Sequence, residues 1–163
     1  NIVDVLYAPL SAFEVSLAVI MAAVTRSILI GFISVLVFIF IVELPLNNIF
    51  FIFYSGFFGS FFIGSLGFIT GLWATKFDHT ATITNFILQP LSFLSGVIDR
   101  LPEFFQSISL INPFFHIINI FRYGFLGKSD GDLTFGLVYL PLLAVIGWYI
   151  SFYLYKIGYK IKT

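Results

Sequence analysis

Four long stretches without a charged residue constrain this chain more than any other feature of it. They cover residues 27–42, 44–75, 79–98 and 133–155. A helix needs about 20 apolar residues to cross a bilayer, and a soluble domain carries about 25% charged residues, whereas this chain carries 10%. We therefore predict an all-α, polytopic membrane helix bundle with four spanning helices, the second of which has residues 49–73 as its core.

Composition excludes several other classes of protein. The net charge is zero, so no basic surface points to nucleic acid, and the chain has no cysteine for disulfides, thiolate metal sites or catalysis. The first residue is Asn1 and the single methionine is Met21. We therefore expect the chain to be part of a longer protein.

The basic residues predict the orientation of the bundle. Four crossings place both termini on one side of the membrane, and the positive-inside rule makes the side richer in Lys and Arg cytoplasmic. The side of the termini carries five basic residues: Arg26, Lys76, Lys156, Lys160 and Lys162. The other side carries three: Arg100, Arg122 and Lys128. We therefore predict cytoplasmic termini and a helix that enters the membrane near Arg26.

We also predict that no span carries a charge at depth. This prediction disfavours ion-coupled transport that depends on buried carboxylates.

The opening segment, residues 1–26, mixes charged and apolar positions. We predict a short helix before Pro9 and a second helix that begins after Ser11. Ser11 is a plausible N-cap, and Glu14 three residues later completes a capping box. Such a segment is either a docking surface for a soluble partner or an ordinary interfacial loop.

Small residues and one proline mark the second and third runs. Gly56, Ser60 and Gly64 recur every four residues and share a helix face, which favours close helix packing. The alternative is a face that slides or packs across a dimer contact. Pro90 removes a backbone donor inside the third run and predicts a kink, with Gln89 beside it as a polar partner. The kink either shapes packing or lines a path.

Two proline-opened apolar stretches within residues 99–132 are too short to cross a bilayer. Residues 113–125 rise only about 20 Å as a helix. His116, Asn119, Arg122 and Tyr123 form one stripe on that helix, and we predict that this stripe faces water or lipid headgroups. His116 alone does not make a metal site, because no second ligand lies at a suitable spacing. Gly127-Lys128-Ser129 is not a P-loop, because Arg122 stands where that motif needs glycine.

Two tracts resemble one family. The tract QPLSFLSGVIDRLPEFFQSISLINPFFHIINIFRYGFLG resembles the signature of the membrane subunit of ABC-2 type transporters, with a proline-bearing helix, two short outer helices and an Asn-Pro that opens the second. DVLYAPLSAFEVSLAVIMAAV is similar to that family's cytoplasmic coupling helix and the start of its third spanning helix. Because members have six spanning helices, the resemblance implies that the first two lie outside this chain.

The resemblance also implies an organisation for the chain. Residues 1–163 form a partial ABC-2 transmembrane domain. It consists of the coupling helix and membrane entry (1–26), three spanning helices (27–98), the two short outer-side re-entrant or interfacial helices with their loop (99–132), and the last span with a basic cytoplasmic tail (133–163). The implied protein is a homodimeric permease of the bacterial inner membrane that works with two copies of a separate ATPase subunit. ATP and Mg would bind to that partner, so this chain would be neither an enzyme nor a cofactor binder.

Three groups of residues follow from the resemblance and the patterns together. The residues expected to couple to the ATPase are Asp4, Tyr7, Pro9, Leu10, Ser11, Phe13 and Glu14. The residues expected on the transport path or in helix packing are Gly56, Ser60, Gly64, Gln89 and Pro90. The residues expected in the outer gate helices are Pro102, Asn112, Pro113, His116, Asn119 and Arg122.

The expected activity is export of a hydrophobic or amphiphilic, drug-like compound. Export of a polysaccharide or a lipid-linked glycan is the alternative within the family. From other classes, a passive channel with re-entrant helices and a non-transporting membrane scaffold stay open.

Overall fold

The computed structural model describes residues 10–43, 45–74, 81–96 and 110–159. Its main helices are α1 (Ala12–Ile39), α2 (Ile49–Trp73), α3 (Gln89–Gly96), α4 (Pro113–Leu126) and α5 (Leu133–Lys156). A π-helical turn, Thr84–Leu88, leads directly into α3. The described part of the chain is helical and contains no β-strand, as the all-α prediction requires.

Local side-chain caps set where four of these helices begin. Ser11 caps α1, Asn48 caps α2, Asn112 caps α4 and Asp132 caps α5. In each case a side-chain oxygen accepts a hydrogen bond from a backbone N–H of the first turn, which has no partner inside the helix. The helix starts therefore depend on residues at the boundary itself rather than on distant contacts.

Three of the described helices are long and apolar enough to cross a membrane: α1, α2 and α5. The predicted core at residues 49–73 coincides with α2, and the predicted run at 133–155 ends one residue before α5 does. The third run, 79–98, is helical over 81–96, which is about 24 Å of helix. A fourth crossing there stays a prediction.

Helix α1 begins directly after Ser11, as predicted, and the point at which it enters the membrane stays a prediction. Helix α1 is continuous over 28 residues and passes through Arg26 without a break. Arginine is a good helix former, so its charge does not end the backbone hydrogen-bond ladder. The depth of Arg26 in the membrane and the orientation of the termini stay predictions.

Close contacts at small residues hold the long helices together. A Cβ atom on Gly64 of α2 would lie 3.2 Å from Ala23 Cβ of α1, and one on Gly147 of α5 would lie 3.1 Å from Ser65 Cβ of α2. Ser151 of α5 also donates a hydrogen bond to the Ser65 carbonyl at 3.3 Å. Small side chains allow this approach in a membrane, where apolar burial contributes little to association.

Helix α4 runs antiparallel to the first half of α2. Gly124 lies beside Ile52 and Asn48 at the start of α2, whereas Ile117 lies against Gly59, ten residues further along. We call this end of the bundle, with residues 45–48, 110–112 and 127–132, the loop end. The opposite end, which includes Leu10–Glu14, is the α1-start end.

Candidate functional site

The α1-start end presents the predicted capping box. Glu14 N–H donates to Ser11 Oγ at 3.3 Å, and Ser11 N–H donates to Glu14 Oε2 at 2.7 Å. The Ser11 hydroxyl donates to the same carboxylate oxygen at 2.8 Å. These reciprocal bonds satisfy backbone donors that the helix leaves free. The first turn of α1 is therefore fixed locally, while both capping side chains stay exposed.

Two large apolar side chains flank this cap without being buried. Leu10 is 53% exposed and Phe13 is 48% exposed. The Phe13 ring makes an edge-to-face contact with Trp148 of α5, with ring centroids 5.3 Å apart, an arrangement that aromatic pairs favour. The start of α1 is thus in contact with the last helix. The other residues predicted to couple, Asp4, Tyr7 and Pro9, lie outside the described residues.

The predicted face of Gly56, Ser60 and Gly64 divides between two surroundings. Gly64 packs on α1, as the helix-packing interpretation predicts. A Cβ atom on Gly56 would have no neighbour within 4 Å, and Gly56 and Ser60 together line an apolar groove of about 330 Å³ between α1, α2 and α4. The groove is lined from α1 by Ser27, Gly31 and Val35, and from α4 by Phe121 and Phe125.

The irregularity that Pro90 predicts takes the form of a π-helical turn just before it. The backbone N–H of Gln89 donates to the Thr84 carbonyl, which lies five residues back instead of four. Proline cannot donate to the ladder, and a single π turn accommodates such a break within a helix. Gln89 and Pro90 are both exposed. Their assignment to a transport path stays a prediction.

Asn112 and Pro113 open α4 as predicted and also tie it to α3. Asn112 Oδ1 accepts from Phe114 N–H at 3.0 Å, and its Nδ2 donates to the Leu91 carbonyl at 2.7 Å. Pro113 occupies the first helical position, where the missing N–H costs nothing. The buried amide of Asn112 therefore caps α4 and also binds α4 to α3, the described helix before it. Pro102, in the other predicted gate helix, lies outside the described residues.

The polar stripe of α4 is largely buried, which corrects the prediction that it faces water or headgroups. His116 and Asn119 are each 2% exposed. Asn119 Oδ1 accepts from Asp130 N–H at 2.8 Å and from the Ser129 hydroxyl at 3.2 Å. His116 Nε2 lies 2.7 Å from the Leu110 carbonyl. The stripe faces inward because the 127–132 loop and α5 cover it.

Arg122 completes this arrangement at the rim. Its guanidinium pairs with the Asp130 carboxylate, and both side chains are partly exposed. Asp130 thus contacts two members of the stripe, Asn119 through its backbone and Arg122 through its side chain. The 127–132 loop is therefore bound to α4 by Asn119 and Arg122, which the helical repeat places on the same face of α4.

Sequence reasoning missed two tyrosines that join the loop end to α5. Tyr139 of α5 donates to the Ile111 carbonyl at 2.7 Å, and Tyr54 of α2 donates to the Leu137 carbonyl at 2.5 Å. Both hydroxyls satisfy carbonyls outside their own helix. A tyrosine inside a predicted span, where a hydroxyl needs a partner, is the signal that could have found them.

Comparison with known proteins identifies the family. The sequence model described as ABC-2 type transporter matches residues 1–126. The chain is 30% identical over 149 residues to the inner membrane transport permease YadH of Escherichia coli K12, covering 88% of this chain and 58% of that protein. It is 29% identical over 94 residues to nodulation protein J of Sinorhizobium fredii, covering 56% of this chain and 36% of that protein. No solved structure shows a significant match.

The chain belongs to the ABC-2 type transporter family, a class of multi-pass membrane proteins. The match includes the capping segment, the groove helices and all of α4. The chain spans a little over half the length of the curated permease that it matches.

Proposed function

We propose that this chain forms part of the membrane domain of an ATP-driven exporter. In this proposal two copies of the permease assemble with two copies of a separate ATPase subunit, which binds ATP and Mg, in a bacterial inner membrane. Its cargo is a hydrophobic or amphiphilic compound. Family membership and the similarity to a transport permease support this assignment.

The observation that carries the proposal is the geometry of the α1-start end. Leu10 and Phe13 expose apolar surface beside a capping box that fixes the direction of the first turn. Exposed apolar side chains on a rigid local frame suit a protein contact. A partner that displaces this turn would also displace Trp148 through Phe13, and so act on α1 and α5 together.

The groove between α1, α2 and α4 supports the choice of cargo. Its lining is almost entirely apolar, and small residues, Gly31 and Gly56 among them, leave its floor open. Small-molecule sites are concave and mostly apolar in the same way, with a few polar groups. A displacement of α1 relative to α2 would change the width of this groove.

Substitution of Leu10 by Asp in the complete permease, assembled with its ATPase in proteoliposomes, tests the coupling surface. We expect transport-coupled ATPase activity to fall about 10-fold or more, because a desolvated apolar anchor at an interface contributes about 2 kcal/mol or more. Leu126→Asp is the matched control, since Leu126 is 52% exposed and lies at the loop end. Equal activities of the two variants, with both assembled, would contradict the coupling assignment.

A further inference from the structure

Arg26 lies near the middle of a helix that is long enough to cross a membrane. It follows the first residue of α1, Ala12, by 14 positions and precedes the last, Ile39, by 13. At 1.5 Å per residue these separations are about 21 Å and about 20 Å along the helix axis. The bounds of α1, and not the charge pattern in the sequence, show that Arg26 lies near the middle of this helix.

The neighbouring helix gives the same depth independently. Ser27, the next residue, lines the groove together with Ser60 of α2. Ser60 follows Ile49 by 11 residues and precedes Trp73 by 13, so it lies at the middle of α2. With the bilayer centred on these two helices, the edges of a hydrocarbon core about 30 Å thick lie about 15 Å away on either side. An arginine side chain reaches about 7 Å, which does not bring the charge to either edge.

Arg26 points away from the groove and from the described neighbours of α1. It is exposed, whereas Val24 and Ile28, two positions away on either side, are buried or half-buried and lie on the opposite side of the helix. Ile30 and Ile33, on the same side as Arg26, are exposed apolar residues. The guanidinium is thus a single charge within an otherwise apolar face.

The described residues supply no anion to Arg26. They show no ion pair or hydrogen bond of its side chain, and Glu14, the other charged residue of α1, lies 12 positions away at the start of the helix. Helix α2 and α5 up to Tyr155 carry no acidic residue in their described lengths. A second copy could therefore not offer a carboxylate from these helices at this depth.

A charged side chain at the centre of a membrane is costly and faces a water-filled cavity or a counter-charge. We infer that Arg26 lines a water-accessible path on this face of α1 and binds an anionic group of the transported compound, such as a carboxylate, phosphate or sulfate. The inference rests on the proposed transport function, narrows its cargo to anionic amphiphiles, and assigns the anionic group of the cargo to the face of α1 opposite the apolar groove. Arginine suits this role because its planar fork binds such groups through two parallel hydrogen bonds and keeps its charge.

A matched pair of probes tests the inference without ATP. The complete permease in nanodiscs is titrated with pyrene-labelled dodecanoic acid and with its methyl ester, and binding is followed by pyrene fluorescence. The two probes differ only in the anionic group. We expect the acid to bind about 10-fold or more tightly than the ester, as a charge-assisted hydrogen bond in a low-dielectric site predicts.

Substitutions of Arg26 assign that preference to one side chain. R26Q is expected to bind acid and ester equally, with ester affinity unchanged, which also reports that the variant is folded. R26K keeps the charge but loses the fork, so the preference should fall several-fold without disappearing. Lys128→Gln, which removes an exposed cation at the loop end, is the matched control and should keep the full preference.

Two results would overturn the inference. One is equal binding of acid and ester by the unaltered permease. The other is an R26Q variant that keeps the preference for the acid, and loss of stability in that variant would indicate that Arg26 pairs with a carboxylate elsewhere in the protein. If R26Q does not fold, R26K decides, and an unchanged preference in R26K contradicts the inference.

Transport is measured separately, so the two proposals fail in different ways. ATP-dependent movement of the ester and the acid at equal rates, with equal binding, would leave the exporter intact and remove the role of Arg26. Acid-selective binding lost in R26Q, without ATP-dependent movement of either probe by the assembled complex, would leave the anion site intact and remove the exporter.

Discussion

The loop end and the α1-start end of this bundle are stabilised in different ways. At the loop end, side-chain hydrogen bonds join separate elements: the buried amide of Asn112 binds α4 to α3, the buried amide of Asn119 binds the 127–132 loop, and the half-buried Tyr139 binds α5 to residue 111. At the α1-start end, the hydrogen bonds of the cap are local, and one aromatic contact reaches α5.

This difference concerns the hydrogen bonds that a movement at each end would break. The hydrogen bonds that Asn112 and Asn119 make at the loop end are buried, and breaking them would leave polar groups unpaired. His116 Nδ1 and Asn119 Nδ2 have no hydrogen-bond partner among the described residues. The cap of α1 uses only local hydrogen bonds, whereas the buried side chains of Val15 and Ser16 tie the same turns to the rest of the bundle by packing. Coupling to a partner at the α1-start end, with a fixed loop end, is consistent with this distribution, and four substitutions test it.

The largest expected effect is at Gly124, where α4 meets the start of α2. A Cβ atom there would lie 2.5 Å from Ile52 Cγ1 and 3.0 Å from the Ile52 backbone nitrogen. We expect Gly124→Ala to lower the free energy of unfolding by about 2–3 kcal/mol through overpacking, measured by thermal unfolding in detergent. Gly67→Ala, with no atom within 4 Å of its Cβ position, should be neutral or slightly stabilising. Equal stability of both variants would show that the loop end is not closely packed.

Asn119 tests whether the buried polar contacts fix the loop. Asn119→Ala leaves the Asp130 N–H and the Ser129 hydroxyl without their acceptor. The expected loss of stability is about 1–3 kcal/mol, with faster amide hydrogen exchange at residues 127–132. Asn85→Ala, at an exposed position, should change neither. Unchanged exchange in the Asn119 variant would contradict the rigid loop end.

Ser11→Ala removes the side-chain acceptor of the cap at the other end. We expect a loss of about 1 kcal/mol, as for a typical N-cap. The effect should appear as faster hydrogen exchange confined to the first turn of α1, because the cap bonds are local. Ser34→Ala, within α1 and bonded only to the Ile30 carbonyl of its own helix, is the control. Faster exchange that extends into α5 would show that the cap is not an independent local unit.

The smallest expected effect is at the aromatic contact between the two helices. Phe13→Leu keeps apolar volume but removes the edge-to-face contact with Trp148, which contributes about 0.5–1.5 kcal/mol. We expect a small loss of stability but a clear change in Trp148 fluorescence and weaker transport-coupled ATPase activity. Phe93→Leu, at an exposed position, should leave all three unchanged. Full coupling without the ring contact would show that α5 is not moved through Phe13.

Local features of the fold were predictable from the sequence alone. The bounds of α2, the length of α5, the capping box at Ser11 and Glu14, and the Asn-Pro start of α4 all follow from apolar runs and from residues at the boundary itself. Caps and hydropathy act over a few residues, so one sequence contains the information that they need. The same holds for the disturbance before Pro90, since a missing backbone donor affects its own turn.

Three features were decided only by the tertiary structure. The polar stripe of His116 and Asn119 has the same sequence pattern whether it faces water or is buried in the protein. Its burial depends on the 127–132 loop, which folds back over it. The face of Gly56 and Gly64 divides because α1 approaches one glycine and leaves a groove at the other. Arg26 marks the predicted point of membrane entry in the sequence, whereas its place near the middle of α1 follows from where that helix ends. A residue type fixes what a side chain can bind, whereas its depth and neighbours depend on where distant segments pack.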